Sequence, residues 1–212
     1  MKPTSSPRRL IVGLALLPLA LGLAACNKEE AGPASLSGEK IAAIAPPAGK
    51  AWGDVVVKTP EGGYLMGNPD APIKLVEYGS LTCSHCADFS KESFAELRDN
   101  FVASGRVSFE FRNFVRDAID LTAAQLTRCG TPESFFPLTE QAFANQMAMF
   151  QKAQAAGEAA YKAAMTKPDG QRGPALGELT GLTEFFAARG VSKDQAAACL
   201  GNAQEAASLA KM

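Results

Sequence analysis

One histidine among 212 residues leaves little for imidazole catalysis or for a metal site built on histidines. Neither sign of charge is in surplus: 21 lysines and arginines stand against 22 acids, a formal net charge of -1, which argues against a dedicated nucleic-acid binder. The apolar run over residues 10–25 falls short of the roughly 18 to 20 residues that a membrane-crossing helix requires. Neither an internal repeat nor a long block of like charge is found. What the chain does have is 47% hydrophobic and 20% charged residues. That is enough to bury a core, excludes wholesale disorder, and points to one domain with appendages. Five cysteines are the other informative part of the composition.

Lys2, Arg8 and Arg9 precede the apolar run, which ends Leu23-Ala24-Ala25-Cys26. This resembles the bacterial lipoprotein box, so residues 1–25 read as a signal peptide and Cys26 as the lipidated first residue of the mature chain. Pro18 and the glycines weaken the alternative, a buried helix. Asn27 follows where an Asp would signal inner-membrane retention. The expectation is a protein on the periplasmic side of a bacterial membrane, lipid-anchored through Cys26, with the choice of membrane left open. Residues 26–50, rich in Ala, Gly, Pro, Ser and Glu, read as a flexible tether, and the domain as residues 51–212.

Within the domain, Val55-Val56-Val57-Lys58 reads as a short edge strand, and Gly67-Asn68-Pro69-Asp70-Ala71-Pro72 as a break. Residues 73–78 form an apolar strand, residues 87–101 show helical spacing, and Val107, Phe109 and Phe111 alternate with polar residues as in a strand. The result is a βαβ unit with parallel strands. Beyond it, helices are expected near residues 118–128, 133–155, 158–166, 176–189 and 193–200, with a helical end, giving a helical insertion over about residues 117–205. Gly190 suits a helix end, and Ser192 with Gln195 has the form of a capping box. Phe135, Phe136, Phe143, Met147, Met149 and Phe150 lie at helical spacing and are expected to pack a core rather than line a peptide groove.

Cys83-Ser84-His85-Cys86 falls just after a strand and on the first turn of a helix. There the helix dipole and unpaired N–H groups stabilise a thiolate on Cys83. His85 can add a hydrogen bond or charge, and a stabilised thiolate makes the disulfide more oxidising. Zinc would need two more ligands at useful spacing, which Cys129 and Cys199 do not offer, and an inert structural disulfide is the other alternative.

This motif, together with Gly67-Asn68-Pro69-Asp70-Ala71-Pro72, Val76-Glu77-Tyr78-Gly79-Ser80-Leu81-Thr82 and Phe109-Glu110-Phe111-Arg112, resembles the DsbA family of thiol-disulfide oxidoreductases over about residues 52–205. The resemblance implies an α/β thioredoxin-like fold with an inserted helical domain. It implies Cys83 as nucleophile, Cys86 as resolving thiol, and Glu77 as a buried acid relaying a proton; an ordinary strand-edge carboxylate is the alternative for Glu77. Ser84 stands where one branch of the family has Pro, so no redox potential carries over. No metal or organic cofactor is implied. The implied partners are reduced or unfolded secreted proteins and a membrane reoxidase or reductase. In an oxidising compartment Cys129 and Cys199 are expected to form a structural disulfide, worth at most about 4 kcal/mol, rather than to remain two buried thiols.

Family members continue into a strand preceded by a cis-proline, a further strand and a final helix. Here the last proline is Pro174, and Thr131-Pro132 reads as a helix start. The expectation is a family member truncated before those elements, with residues 73–78 left as an open edge that favours association and poor stability. Two other functions stay open: a disulfide isomerase or reductase, and a non-catalytic lipoprotein fragment with a vestigial motif.

Overall fold

Among the described residues, four runs build the sheet. Val56–Lys58 (β1) and Tyr64–Gly67 (β2) form an antiparallel hairpin, with Val56 opposite Met66. Thr59 closes its turn, the side-chain oxygen accepting from Gly63 N–H at 3.0 Å while the hydroxyl donates to Glu110 at 2.7 Å. Strand β2 is absent from the sequence expectation, since Tyr-Leu-Met-Gly carries no β-branched residue and is flanked by glycine. Ile73–Gly79 (β3) and Val107–Asn113 (β4) pair in parallel, and the sheet order is β1-β2-β4-β3. Strand β4 is central and almost wholly buried, whereas β3 lies at the edge with Ile73, Leu75, Val76 and Tyr78 exposed. The structure is a computed structural model and describes residues 39–212. The signal segment, Cys26 and the first part of the tether lie outside the described residues.

The helix expected over residues 87–101 is broken. Helix α1 runs Ser84–Glu92, Ser93 leaves helical geometry at φ -127° and ψ -23°, and a short α2 (Phe94–Glu96) passes into a π-helical turn, Leu97–Val102. The break turns Phe94 onto Phe109, with ring centroids 5.7 Å apart.

Seven helices follow: α3 (Ala118–Thr127), α4 (Phe135–Ala144), α5 (Gln146–Met165), α6 (Arg172–Leu179), α7 (Leu182–Ala187), α8 (Lys193–Leu200) and α9 (Ala203–Leu209). The helix expected over residues 133–155 is divided at Asn145, and residues 158–166 continue α5 beyond a kink at Gly157, whose φ is 82°. The helix expected over residues 176–189 is interrupted at Thr180 and Gly181, the latter at φ 70°. Ser192 caps α8 by accepting from Gln195 N–H at 3.2 Å. The Gln195 side chain does not complete a reciprocal box; its amide donates to Cys129 O at 2.8 Å.

Helix α4 covers one face of the sheet. Phe136 packs on Phe109 at 5.6 Å and Phe135 stacks on Tyr64 at 4.0 Å between centroids. Phe135, Phe136, Phe143 and Met149 are core, Phe150 packs against it, and Met147 is exposed. Cys129 and Cys199 are joined in a disulfide between the end of α3 and α8, with Cα atoms 5.8 Å apart. Nearby, the buried Arg128 donates to Glu205 at 2.9 Å and to Gly62 O at 3.0 Å, tying α9 and the β1–β2 turn to the end of α3.

Candidate active site

Strand β3 delivers the chain to the motif through Gly79, where a Cβ would overlap the Phe111 ring. Cys83 N–H donates back to Ser80 O at 3.1 Å, and Cys83 itself is the extended N-cap of α1, its carbonyl accepting Ala87 N–H at 3.2 Å. The Cys83 sulfur therefore sits against the first turn of the helix. The backbone N–H of Cys86, the Cys86 thiol and the backbone N–H of His85 bond to it, and the Arg116 charge adds to them, holding the Cys83 thiol below its ordinary value. The His85 contact to this sulfur is a backbone one; the His85 side chain is exposed, as is Ser84.

Cys86 lies deeper. Burial pushes its thiol up to about 11, with the neighbouring Cys83 and Glu77 charges adding to the effect. Both cysteines are free thiols. Beneath Cys86 an apolar hollow is lined by Leu75, Val76, Glu77, Phe89 and Phe109. Glu77 is half-buried there, and burial raises its carboxyl to about 7. The pair is accordingly unequal: both thiols are partly buried, the first held more acidic and the second pushed to be weakly acidic beside a carboxyl able to exchange a proton near neutrality.

Glu77 makes stability depend on pH. Its folded-state value lies above the unfolded one, so folding favours the neutral acid. The contribution is complete below the ordinary 4.5 and is lost as pH rises to about 7. The span is worth up to roughly 3 kcal/mol, less what water reaching its open side screens. Glu77→Gln is expected to raise the melting temperature at alkaline pH and to flatten the pH profile between those values. Parallel profiles for the two proteins would refute it.

Further residues escaped the sequence reading. Asp120, on the first turn of α3 and 1% exposed, accepts Leu81 N–H at 2.8 Å, the Ser80 hydroxyl at 2.6 Å and Arg116 N–H at 2.9 Å. Asp117 caps α3, accepting Ile119 and Asp120 N–H at 2.8 Å, and also takes a bond from the Thr82 hydroxyl at 3.0 Å. From α5, the Gln146 amide donates to Leu81 O at 2.9 Å and Cys83 O at 3.1 Å. An Asp before an apolar helix with an acid three residues on is a readable cap signal. Nothing local reveals that either carboxylate faces the cysteine motif. Among the described residues no three His, Cys, Asp or Glu side chains converge as a metal-ligand set, and no helix is long and apolar enough to cross a membrane.

Comparison with known proteins bears on the family and the fold. The thioredoxin family profile matches residues 59–212. A solved protein-disulfide isomerase from Novosphingobium aromaticivorans is 35% identical and superposes at TM-score 0.65, covering 69% of this chain and 75% of that one. Wolbachia pipientis alpha-DsbA1, 24% identical, superposes at TM-score 0.55 over 70% of this chain and 64% of its own, a likeness of fold. A Rickettsia bellii protein with a provisional protein-disulfide oxidoreductase name is 36% identical over 75 residues, 35% of this chain and 29% of that protein. The matches thus span under a third of the length of such curated relatives.

Proposed function

Since the chain belongs to the thioredoxin family, we propose that it is a thiol-disulfide oxidoreductase of the DsbA type, introducing disulfides into reduced or unfolded secreted proteins through Cys83 and Cys86. The observation that carries this reading is the inequality of the pair, the Cys83 thiol held down at the helix N-terminus and the Cys86 thiol pushed up to about 11. In the oxidised protein a substrate thiolate attacks the Cys83 sulfur. The Cys83–Cys86 bond breaks, and Cys86 leaves with the electron pair, taking up a proton that Glu77 can supply. A second substrate thiolate then attacks the substrate sulfur of the mixed disulfide. Cys83 leaves as the stabilised thiolate, the substrate disulfide closes, and two electrons remain on the cysteine pair for a membrane reoxidase to remove. The exchange needs no metal or organic cofactor.

Stabilising the Cys83 thiolate stabilises the reduced protein, which favours the oxidase direction. The Novosphingobium relative, a protein-disulfide isomerase, favours the second reading, an isomerase or reductase. Equilibration with glutathione buffers separates them. A potential above about -150 mV is expected for the oxidase, and one below about -200 mV would replace it with the reductase reading.

Leu23-Ala24-Ala25-Cys26 supports a lipid anchor on the periplasmic side of a bacterial membrane. The protein is expected to partition into a detergent phase and Cys26→Ser to remain aqueous; a parent protein that also stays aqueous refutes the anchor.

A further inference from the structure

Resting on the assignment of Cys83 as the reacting thiol, we infer that Gln146 is a positioning residue for it: this amide of the helical insertion grips the peptide on both sides of Thr82 and so sets how squarely the Cys83 sulfur faces the first N–H groups of α1. Gln146 is the first residue of α5 and only 5% exposed, and its Nε2 donates to Leu81 O at 2.9 Å and to Cys83 O at 3.1 Å. The second of these carbonyls also accepts Ala87 N–H at 3.2 Å, the bond with which α1 begins. One side chain therefore holds both the loop entering the helix and the carbonyl from which the helix starts.

Within the loop, Cys83 N–H donates to Ser80 O at 3.1 Å and Thr82 N–H to the Ser80 hydroxyl oxygen at 3.2 Å. From the start of α3, Asp120 takes Leu81 N–H and the Ser80 hydroxyl, and Asp117 takes the Thr82 hydroxyl. None of these bonds reaches the Leu81 or Cys83 carbonyl. Residue 81 is thus held between insertion elements, its N–H by a carboxylate and its carbonyl by an amide. Thiolate stabilisation at a helix N-terminus depends on the sulfur lying within hydrogen-bond reach of N–H groups, and it falls quickly as the sulfur swings away.

Gln146 is the jaw that tests this cleanly. Removing Asp120 would alter the local field as well as the geometry, and Arg116 and Asp117 lie close enough to respond. Removing Gln146 changes no charge, so any change in Cys83 acidity reports position. A residue that merely satisfied buried carbonyls would affect folding stability and leave the acidity alone.

The experiment follows alkylation of Cys83 by iodoacetamide across pH in the full reduced chain, with the modified site located by mass, for the parent and for Gln146→Leu. The half-ionisation point is expected to rise by roughly half a pH unit or more, about a threefold loss of thiolate stabilisation. Exchange with a reduced peptide should slow with it. Leu176→Ala, at a buried position of α6 without a bond to the loop, serves as the control, losing thermal stability and keeping the parental midpoint. Gln146→Met, closer in length, takes the place of the leucine variant if that one does not fold. A parental midpoint in a folded Gln146 variant overturns the inference. A parent whose Cys83 is no more acidic than a free cysteine overturns the assignment beneath it, and the inference with it.

Discussion

Cys83→Ser is expected to abolish disulfide exchange with a reduced peptide, by roughly a thousandfold or more. The other thiol of the pair cannot replace it. Burial, the largest cause of its raised thiol, persists when Cys83 is replaced, so Cys86 stays mostly un-ionised at neutral pH. It also lies deeper, beside the Glu77 hollow rather than at the helix tip. The complementary variant should behave differently. In Cys86→Ser the Cys83 thiolate still attacks a peptide disulfide, but no internal thiol resolves the product, so a mixed disulfide accumulates that is visible on a non-reducing gel. Undiminished turnover by Cys83→Ser, or an absence of trapped product with Cys86→Ser, would remove the proposed function.

Phe109→Ala is expected to destabilise the fold by roughly 3–5 kcal/mol, a large share of the 5–15 kcal/mol typical of a domain. Phe109 is 1% exposed at the middle of the central strand β4. Its ring meets Phe89, Phe94 and Phe136 at 6.4, 5.7 and 5.6 Å, so its loss unseats α1, α2 and α4 together. Because that ring also walls the hollow beside Glu77 and Cys86, water admitted to the cavity should bring the Glu77 carboxyl back down towards its ordinary range. Urea unfolding reads the first effect, and the pH dependence of stability reads the second. A loss under about 1 kcal/mol would show that the aromatic cluster collapses around the gap and that the packing argument overstates this residue.

Much of this was legible in the residues themselves, for identifiable reasons. Strands β3 and β4 announce themselves by β-branched and alternating residues, and the helix over residues 193–200 by Ser192 at its cap and Gly190 before it. Strand β2 does not, because its place is decided by pairing with Phe109 and Phe111 of β4, a tertiary partner with no trace in Tyr-Leu-Met-Gly. The break at Ser93 is likewise a packing event, fitting Phe94 to Phe109 against the local helical preference. The cysteine pair could be read because its chemistry is written in four consecutive residues. Its support could not: Asp120 and Gln146 each reach the motif through two hydrogen bonds across long sequence separations, and such bonds impose no periodicity. Ser192 and Gln195 lie between these cases, the cap being local and readable and the diversion of the Gln195 amide to Cys129 being tertiary and silent.

The Cys129–Cys199 bridge shares one molecule with a free dithiol, so reductant concentration acts as a dial with two settings. A mild setting refills the Cys83–Cys86 couple while the bridge between α3 and α8 stays shut. A harsh setting opens the bridge as well, and four sulfurs then compete for new partners, with scrambled isomers among the products. Thiol counting makes the boundary visible: these four positions should titrate as two in the native reduced protein and as four only once denatured under strong reductant. The reductant concentration at which the count first passes two sets the upper limit for handling the protein as an intact redox reagent.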